Sequence, residues 1–128
     1  MSTRLIDYFN KQPRVGTLST SSKDGKVNSA YFDSPYMIDE KTIIMGLTKN
    51  RTFAYLQENP NAVFMIMGPG ETLSEWKGVR IYVKMTDCST DGEKLEKIKA
   101  KIAAAAGEDA AKMIHAAVVF EVHECRLS

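Results

Sequence analysis

Residues 42–67, TIIMGLTKNRTFAYLQENPNAVFMIM, predict a strand, a short helix and a second strand in direct succession. The first six residues are mostly apolar and β-branched, as in a short buried strand. Phe53 and Leu56, three residues apart, predict a helix that must stop before Pro60, because the residue preceding a proline is pushed out of the helical conformation. Residues 62–67 are apolar on both faces. We therefore expect core on one side of this strand and a partner subunit on the other.

The rest of the chain extends this pattern in both directions. Strict alternation in residues 77–86, with Val79, Ile81 and Val83 on one face, gives the strongest strand prediction in the sequence. The pair Asp24-Gly25 predicts a tight hairpin turn. The remaining predicted elements are strands at residues 15–21, 27–36 and around 118–122, and helices at residues 3–10, 95–105 and 109–114.

The order of these elements, α-β-β-β-α-β-β-α-α-β, predicts the fold class. Its early links are hairpin-like and it has no regular βαβ alternation. This favours an antiparallel sheet that closes into a small barrel with helices packed against it. The predicted class is therefore mainly β, a six-stranded antiparallel barrel with α additions, and residues 1–128 are predicted to form a single domain.

Composition and charge exclude several classes of function. The 17 basic and 16 acidic residues give a formal charge of +1, so no global field attracts nucleic acid or an anionic membrane. The first residues lack the apolar core of a signal peptide, and the apolar runs fall far short of the ~20 residues of a membrane span. We expect a soluble cytoplasmic protein with no nucleic-acid or membrane partner. Cys88 and Cys125 are predicted to be free thiols, because they form no CxxC pair.

Two cations lie at the start of the helix predicted over residues 50–59, where positive charge is unfavourable. Lys49 and Arg51 lie near its N-terminus, which carries partial positive charge, whereas cations are normally favoured at the opposite end. A phosphate would explain the placement, because the hydroxyls of Thr48 and Thr52 and the helix N–H groups could donate to it while the cations neutralise it. On the residues alone, a phosphate site and a solvated basic turn explain the pattern equally well.

The other polar residues give weaker indications of a site. Glu121, His123 and Cys125 alternate along the last strand, yet no further His or Cys is placed to complete a zinc site, so they are interpreted as the polar outer face of a strand. His115 stands alone, and a lone histidine is more often a packed or surface residue than a base. Trp76 is interpreted either as a plug at the barrel end or as an aromatic wall for a planar ligand. We predict no catalytic side chain and no metal site.

The order of three segments resembles the FMN-binding split-barrel family, the superfamily of pyridoxamine-phosphate oxidase and the small bacterial FMN-binding proteins. These segments are VGTLSTSSKDGKVNSAYF (residues 15–32), the stretch 42–67 and WKGVRIYVKMTDCSTDGE (residues 76–93). The resemblance runs from about Leu5 to Val122. It implies the split-barrel fold and a homodimer that holds two FMN molecules at its interface.

The resemblance also implies which parts of the chain contact FMN. The strand after the first hairpin would lie beside the flavin ring, and the end of the third strand would line the ring and the ribityl chain. The start of the short helix would hold the phosphate, and a tryptophan would reach the flavin from the second subunit. In this chain the corresponding residues are Asn28, Ser29 and Ala30; Met45, Gly46 and Leu47; Thr48, Lys49, Arg51 and Thr52; and Trp76.

We therefore expect an FMN-binding flavoprotein that acts as a small oxidoreductase or electron-transfer protein, with a small-molecule or protein electron donor or acceptor. Oxidation of pyridoxamine phosphate is not expected, since the early strands are neutral and the C-terminal HECRLS offers only Arg126 as a cation. Two alternatives stay open. One is a deazaflavin- or nicotinamide-linked reductase of a small substrate. The other is a non-catalytic haem- or flavin-binding protein in which His115 or His123 could be an axial ligand.

Overall fold

Strands dominate the computed structural model of the chain, which describes residues 5–10, 15–32, 35–68 and 77–127. The strands in these ranges are β1 (Val15–Ser21), β2 (Val27–Tyr31), β3 (Tyr36–Asp39), β4 (Thr42–Leu47), β5 (Asn61–Gly68), β6 (Lys77–Ser89) and β7 (Ala116–Leu127). The helices are α1 (Leu5–Asn10), α2 (Arg51–Glu58), α3 (Glu93–Ala106) and α4 (Glu108–Lys112). None of these described helices has the length and apolar content needed to cross a membrane.

The described strands form one antiparallel sheet in the order β2-β1-β5-β6-β7-β4-β3. Its two edge strands are consecutive in the chain, since β2 ends at Tyr31 and β3 begins at Tyr36. A flat sheet of this width would separate its edges by roughly 29 Å, whereas the residues from Tyr31 to Tyr36 span at most about 18 Å. The sheet therefore has to curl until its edges approach each other, which gives the barrel expected from the sequence.

The number of strands is a correction to the predicted fold. The sequence predicts one strand over residues 27–36 and six strands in all, whereas β2 and β3 share this stretch and the described residues contain seven strands. Pro35 stands immediately before β3, and a proline has no N–H to donate to a continuing ladder. The count of six was wrong, while the mainly β, antiparallel class is confirmed.

Three phenylalanine rings form the centre of the core. Phe64 on β5 lies between Phe9 on α1 and Phe120 on β7, with edge-to-face centroid distances of 5.8 and 5.4 Å. Edge-to-face contact is a preferred geometry for aromatic pairs, and all three rings are buried. The inward positions of the strands add further buried side chains, among them Leu18, Met37, Ile43, Met45, Leu47, Ile66, Ile81 and Val118.

Helix α1 covers the free edge of β3. The side-chain amide of Asn10 donates to the carbonyl oxygen of Met37 (2.8 Å), and the Met37 N–H donates back to Oδ1 of Asn10 (2.9 Å). One side chain thus satisfies both backbone groups of an edge residue, as a neighbouring strand would. The predicted helix starts at residue 3, and residues 1–4 lie outside the described ranges.

Helix α3 packs on β4 at a glycine. A Cβ atom at Gly46 would lie 2.8 Å from Cγ2 of Ile98 and 3.0 Å from Cδ1 of Ile102, both on α3. It would also lie 3.0 Å from Cγ2 of Ile114, which follows α4. The helix ends at Gly107 (φ 98°), and this confirms the predicted stop. The missing side chain of Gly46 is therefore what lets the helices approach β4 closely.

Replacing Gly46 with alanine is expected to lower the free energy of unfolding by about 1–3 kcal/mol, because the added methyl group overpacks this contact. Urea unfolding followed by circular dichroism measures the change. Adding Ile102→Val removes one of the opposing methyl groups and should recover part of the loss. A Gly46→Ala variant that unfolds at the wild-type urea concentration would contradict the described packing of α3.

The two cysteines are free thiols, as predicted. Cys88 is half-buried and Cys125 is exposed. Although the residue is mostly exposed, partial burial of its thiol, and to a smaller extent the carboxylate of Glu40, raises the pKa of Cys125 above its ordinary value. A thiol with a raised pKa is a weak nucleophile at neutral pH, so Cys125 has no feature of a reactive cysteine.

Candidate functional site

Asn50 is the N-cap of α2, and two backbone N–H groups of the first turn have no acceptor within the helix. The N–H of Phe53 donates to Oδ1 of Asn50 (2.9 Å), and the N–H of Ala54 donates to the Asn50 carbonyl oxygen (3.0 Å). The N–H groups of Arg51 and Thr52 precede the first bond of this ladder. Donors of this kind, together with the helix dipole, favour an anion at the N-terminus of α2.

Lys49 and Arg51 add two uncompensated charges at the same helix end. Both side chains are exposed. The ion pairs among the described residues are Lys94–Asp87, Lys97–Glu93, His123–Glu121 and Arg126–Glu124. Lys49 and Arg51 take part in none of them. Beside the positive end of a helix each such cation costs a few tenths of a kcal/mol to about 1 kcal/mol. A bound anion would make the electrostatic free energy of the cations at this helix end favourable.

Thr52 joins this helix end to β2. Its side chain is buried, and its Oγ1 accepts a long hydrogen bond of 3.4 Å from Nδ2 of Asn28. The two residues are 24 positions apart in the chain. The resemblance implied that Asn28 lies beside the flavin ring and that Thr52 binds the phosphate. The structure therefore brings two of the predicted regions of the site into contact.

The other predicted flavin-binding residues on β2 lie on opposite faces of the strand. Ala30 shares the half-buried face of Asn28. Ser29 is exposed on the other face, where its hydroxyl is 3.1 Å from that of Ser19 on β1. This alternation is a property of any strand, so one flat ligand cannot contact all three side chains from one side. The assignment of these three residues to the flavin stays a prediction.

The residues at the end of β4 are shielded from solvent. Met45 and Leu47 are buried in the core, and Gly46 is covered by isoleucines of α3 and by Ile114. If this segment lines a cofactor, as the resemblance implies, the contact has to come from backbone groups. Trp76, the aromatic predicted to come from a second subunit, lies outside the described residues.

The pairing of β4 with β7 adds residues that the sequence did not single out for this site. Leu47 pairs with Ala116, and the N–H of His115 donates to the Leu47 carbonyl oxygen (2.7 Å). Just beyond this point lies an open cleft of about 410 Å³, lined by Thr48, Lys49, Lys112, Met113, Ile114 and His115. No local motif marks Lys112 or His115 as a neighbour of Thr48, because only the register of two distant strands brings them together.

Neither histidine belongs to a cluster of metal-ligating side chains among the described residues. The ring of His115 packs edge-to-face on Phe53 with a centroid distance of 4.9 Å. His123 is exposed, and its Nε2 lies 2.8 Å from Oε1 of Glu121. Among the residues that the structure describes, no three His, Cys, Asp or Glu side chains converge in a way that could hold a metal ion.

Comparison of the sequence with protein families gives a match over nearly the whole chain. Residues 2–126 match the family described as pyridoxamine 5'-phosphate oxidase. The chain belongs to the pyridoxamine 5'-phosphate oxidase family. Membership confirms the resemblance found from the order of the three segments. A search of curated protein sequences gave no significant match to this family member.

Solved structures with the same fold carry names that refer to different bound groups. An FMN-binding protein from Syntrophomonas wolfei subsp. wolfei is 24% identical, with a TM-score of 0.82 over 95% of this chain and 82% of that one. HutZ, the haem storage protein from Vibrio cholerae, is 17% identical, with a TM-score of 0.70 over 95% of this chain and 91% of that one. An F420 reductase is 16% identical, with a TM-score of 0.67 over 98% of both chains. At these identities the similarity establishes the fold, and the ligand of this oxidase-family member has to be argued from its own residues.

Proposed function

We propose that this protein is an FMN-binding flavoprotein, a small oxidoreductase or electron-transfer protein that holds its cofactor at the start of α2. The observation that carries the proposal is the exposed pair Lys49 and Arg51, which has no ion-pair partner among the described residues, beside the N-terminal donors of a capped helix. A phosphate monoester supplies the negative charge that this end lacks. Family membership and the similarity to an FMN-binding protein support FMN as its source.

The residues present fit the phosphate end of FMN. Lys49 and Arg51 would neutralise the phosphate, and the N–H groups of Arg51 and Thr52 would donate to its oxygens. Thr48 adds a hydroxyl, while the contact between Thr52 and Asn28 fixes the helix end against β2. FMN itself supplies hydride or electron transfer, so the protein's part is to bind it, orient it and shield it from water.

The proposal does not extend to oxidation of pyridoxamine phosphate. β1 and β2 contain no lysine or arginine. Arg126, the cation near the end of β7, lies 3.8 Å from Oε2 of Glu124, which partly neutralises it. Among the described residues, the early strands therefore offer no cation to a second phosphate group, and Arg126 is the cation of the C-terminal segment HECRLS.

The proposal includes a homodimer, for which the outer face of the sheet provides an apolar surface. On edge strand β2, Val27 and Tyr31 are 81% and 61% exposed. Tyr31 pairs with Thr17, Thr17 pairs with Met65 on β5, and the half-buried Met65 continues the same face. Thr17 and Ser29 interrupt this row, and exposed apolar side chains grouped on one face are typical of protein contacts. Sedimentation of the purified protein as a monomer would contradict this part of the proposal.

The visible spectrum of the gently purified protein tests the cofactor. We expect flavin absorption and the release of FMN on denaturation, identified by its mass. Bleaching of the bound flavin by a nicotinamide or deazaflavin reductant would identify the class of electron donor. A colourless protein that also fails to bind added FMN would overturn the proposal.

Haem binding without turnover is the second candidate, because the chain shares its fold with a haem storage protein. His115 and His123 are the available axial ligands, and His123 is the exposed one. A Soret band that appears on haem titration and is lost in His123→Ala or His115→Ala would favour this function. The flavin proposal has the stronger support, since the FMN-binding protein has the higher identity and TM-score of the two.

A further inference from the structure

Arg80 on β6 is a half-buried cation without a partner. Its Nε atom is shielded from solvent and donates to no acceptor among the described residues. It also takes part in none of the ion pairs that these residues form. Arginine is rarely buried unless it is paired, and a buried donor without an acceptor is costly because it has given up its hydrogen bonds to water. The guanidinium of Arg80 therefore lacks an acceptor.

A second arginine lies directly opposite Arg80 on the neighbouring strand. The register of β6 against β7 pairs Arg80 with Arg126. The Cβ atoms of residues paired in this way are about 4.5–5.5 Å apart, and two like charges so placed destabilise a sheet. Glu124 relieves only part of the repulsion, since its Oε2 lies 3.8 Å from Nε of Arg126 and it pairs across the ladder with Tyr82. The two arginines thus keep an excess of positive charge that an anion would neutralise.

A structural role explains only part of this arrangement. Met65 lies opposite Arg80 on β5, and the aliphatic stem of an arginine packs well along such an apolar neighbour. This accounts for the half-burial of Arg80, but it leaves the buried Nε without an acceptor. A second copy docked on the outer face of the sheet would bury the arginines further. The acids that it would bring on β7, Glu121 and Glu124, already lie beside basic side chains of their own chain.

An open cleft lies beside the two arginines on the outer face of the sheet. Tyr82 follows Arg80 by two residues, so both side chains belong to the same face of β6. Tyr82, Ser19, Val63 and His123 are among the residues that line this cleft of about 370 Å³, a volume in the range of small-molecule sites. The register of β6 against β7 shifts here and leaves His123 as an extra residue. Such bulges are over-represented next to functional sites, where they redirect a side chain.

The arginines and this cleft share no residue with the predicted phosphate site at α2. Leu47, which directly precedes Thr48, pairs with Ala116 at the start of β7, whereas Arg126 lies ten residues further along that strand. Ten residues of straight strand span roughly 33 Å. The two sites therefore lie at opposite ends of β7, and the occupant of one does not determine the occupant of the other.

We propose that Arg80 and Arg126 bind the carboxylate of a small organic acid whose body lies in the cleft beside Tyr82. A carboxylate accepts two parallel hydrogen bonds from one guanidinium, and such charge-assisted bonds are stronger than those between neutral groups. Binding neutralises the repulsion between the two arginines and gives the guanidinium of Arg80 the acceptor that it lacks. Val63 offers an apolar surface to the body of the acid, and Ser19 offers a hydroxyl.

Titration of the isotope-labelled full-length protein with benzoate, followed by NMR, tests the site. The Nε–H signal of Arg80 should shift as benzoate is added, and benzamide, an uncharged analogue of similar shape, should leave it in place. Arg80→Met keeps an apolar stem and should weaken benzoate binding by about tenfold or more, because a charge-assisted contact is lost. Lys84→Gln removes a charge from an exposed residue on the same face of β6 and should leave the affinity unchanged.

Urea unfolding separates a ligand site from a purely structural role for Arg80. Without ligand, Arg80→Met should unfold at the wild-type urea concentration or above it, since it removes a like-charge repulsion and an unpaired donor. Benzoate should raise the unfolding midpoint of wild type and leave that of the variant unchanged.

Three results would overturn the proposal. One is a wild-type protein that does not bind benzoate, and another is equal binding by wild type and Arg80→Met. The third is a marked loss of stability in ligand-free Arg80→Met. Dissociation of a dimer in Arg80→Met, without benzoate binding by wild type, would assign the arginines to the subunit contact instead. A protein that binds benzoate but no flavin would overturn the FMN proposal alone.

Discussion

The double variant Lys49→Ala, Arg51→Ala is expected to bind FMN about 100-fold more weakly than wild type. A charge-assisted hydrogen bond contributes roughly 1.5–3 kcal/mol, and the lower value suits these exposed side chains. Two such contacts then correspond to about 3 kcal/mol, and each 1.4 kcal/mol is a factor of ten in affinity. Titration of the apoprotein with FMN, followed by quenching of flavin fluorescence, measures the change.

Riboflavin and a matched variant separate this effect from a general loss of charge. Riboflavin lacks the phosphate, so its weaker affinity should be the same in wild type and in the double variant. Lys26→Ala, Lys41→Ala removes the same charge from two exposed turns and should leave FMN affinity unchanged. Wild-type FMN affinity in the Lys49, Arg51 variant would end the phosphate assignment at α2.

Replacing Phe64 with alanine is expected to lower the free energy of unfolding by about 3–5 kcal/mol. The ring is buried, and its two edge-to-face partners, Phe9 and Phe120, would both face the resulting cavity. This loss is a large part of the roughly 5–15 kcal/mol by which a domain is stable. Urea unfolding monitored by circular dichroism gives the value.

Phe64→Leu is the informative comparison for that measurement. It keeps most of the buried volume but removes both aromatic contacts, so its cost should be clearly smaller than that of Phe64→Ala. A loss below about 1 kcal/mol for Phe64→Ala would mean that the site collapses without a cavity, and that the three rings do not form the centre of the core.

Local signals in the sequence were sufficient for most elements of the fold. Pro60 set the end of α2, Gly107 ended α3, and alternation placed Val79, Ile81 and Val83 inside the barrel. Each of these features depends on residues close together in the chain. The division of residues 27–36 into β2 and β3 was missed, although Pro35 is a local signal against one continuous strand. The position of the two strands at opposite edges of the sheet depends on distant residues and could not be read from this stretch.

The candidate site was predictable only as far as its residues are neighbours in sequence. Thr48, Lys49 and Arg51 could be grouped from their spacing around the start of one helix. Lys112 and His115 could not be added, since their position beside Thr48 results from the register of β4 against β7. The burial of Met45 and Leu47 also depends on which face of β4 meets the core, which a short apolar strand does not reveal.

The interior position of β7, the last of the described strands, makes assembly of the barrel depend on a strand that is made after the other six. β4 has β3 on one side and β7 on the other, so the β3–β4 hairpin is joined to the rest of the sheet only through β7. During synthesis, β1, β2, β5 and β6 can pair with one another as they appear. The hairpin of β3 and β4 can pair with the rest of the sheet only after β7 has been synthesised. The cleft between Thr48 and His115 therefore forms in the last pairing step, and a nascent chain that stops before Ala116 has no such site to offer a ligand.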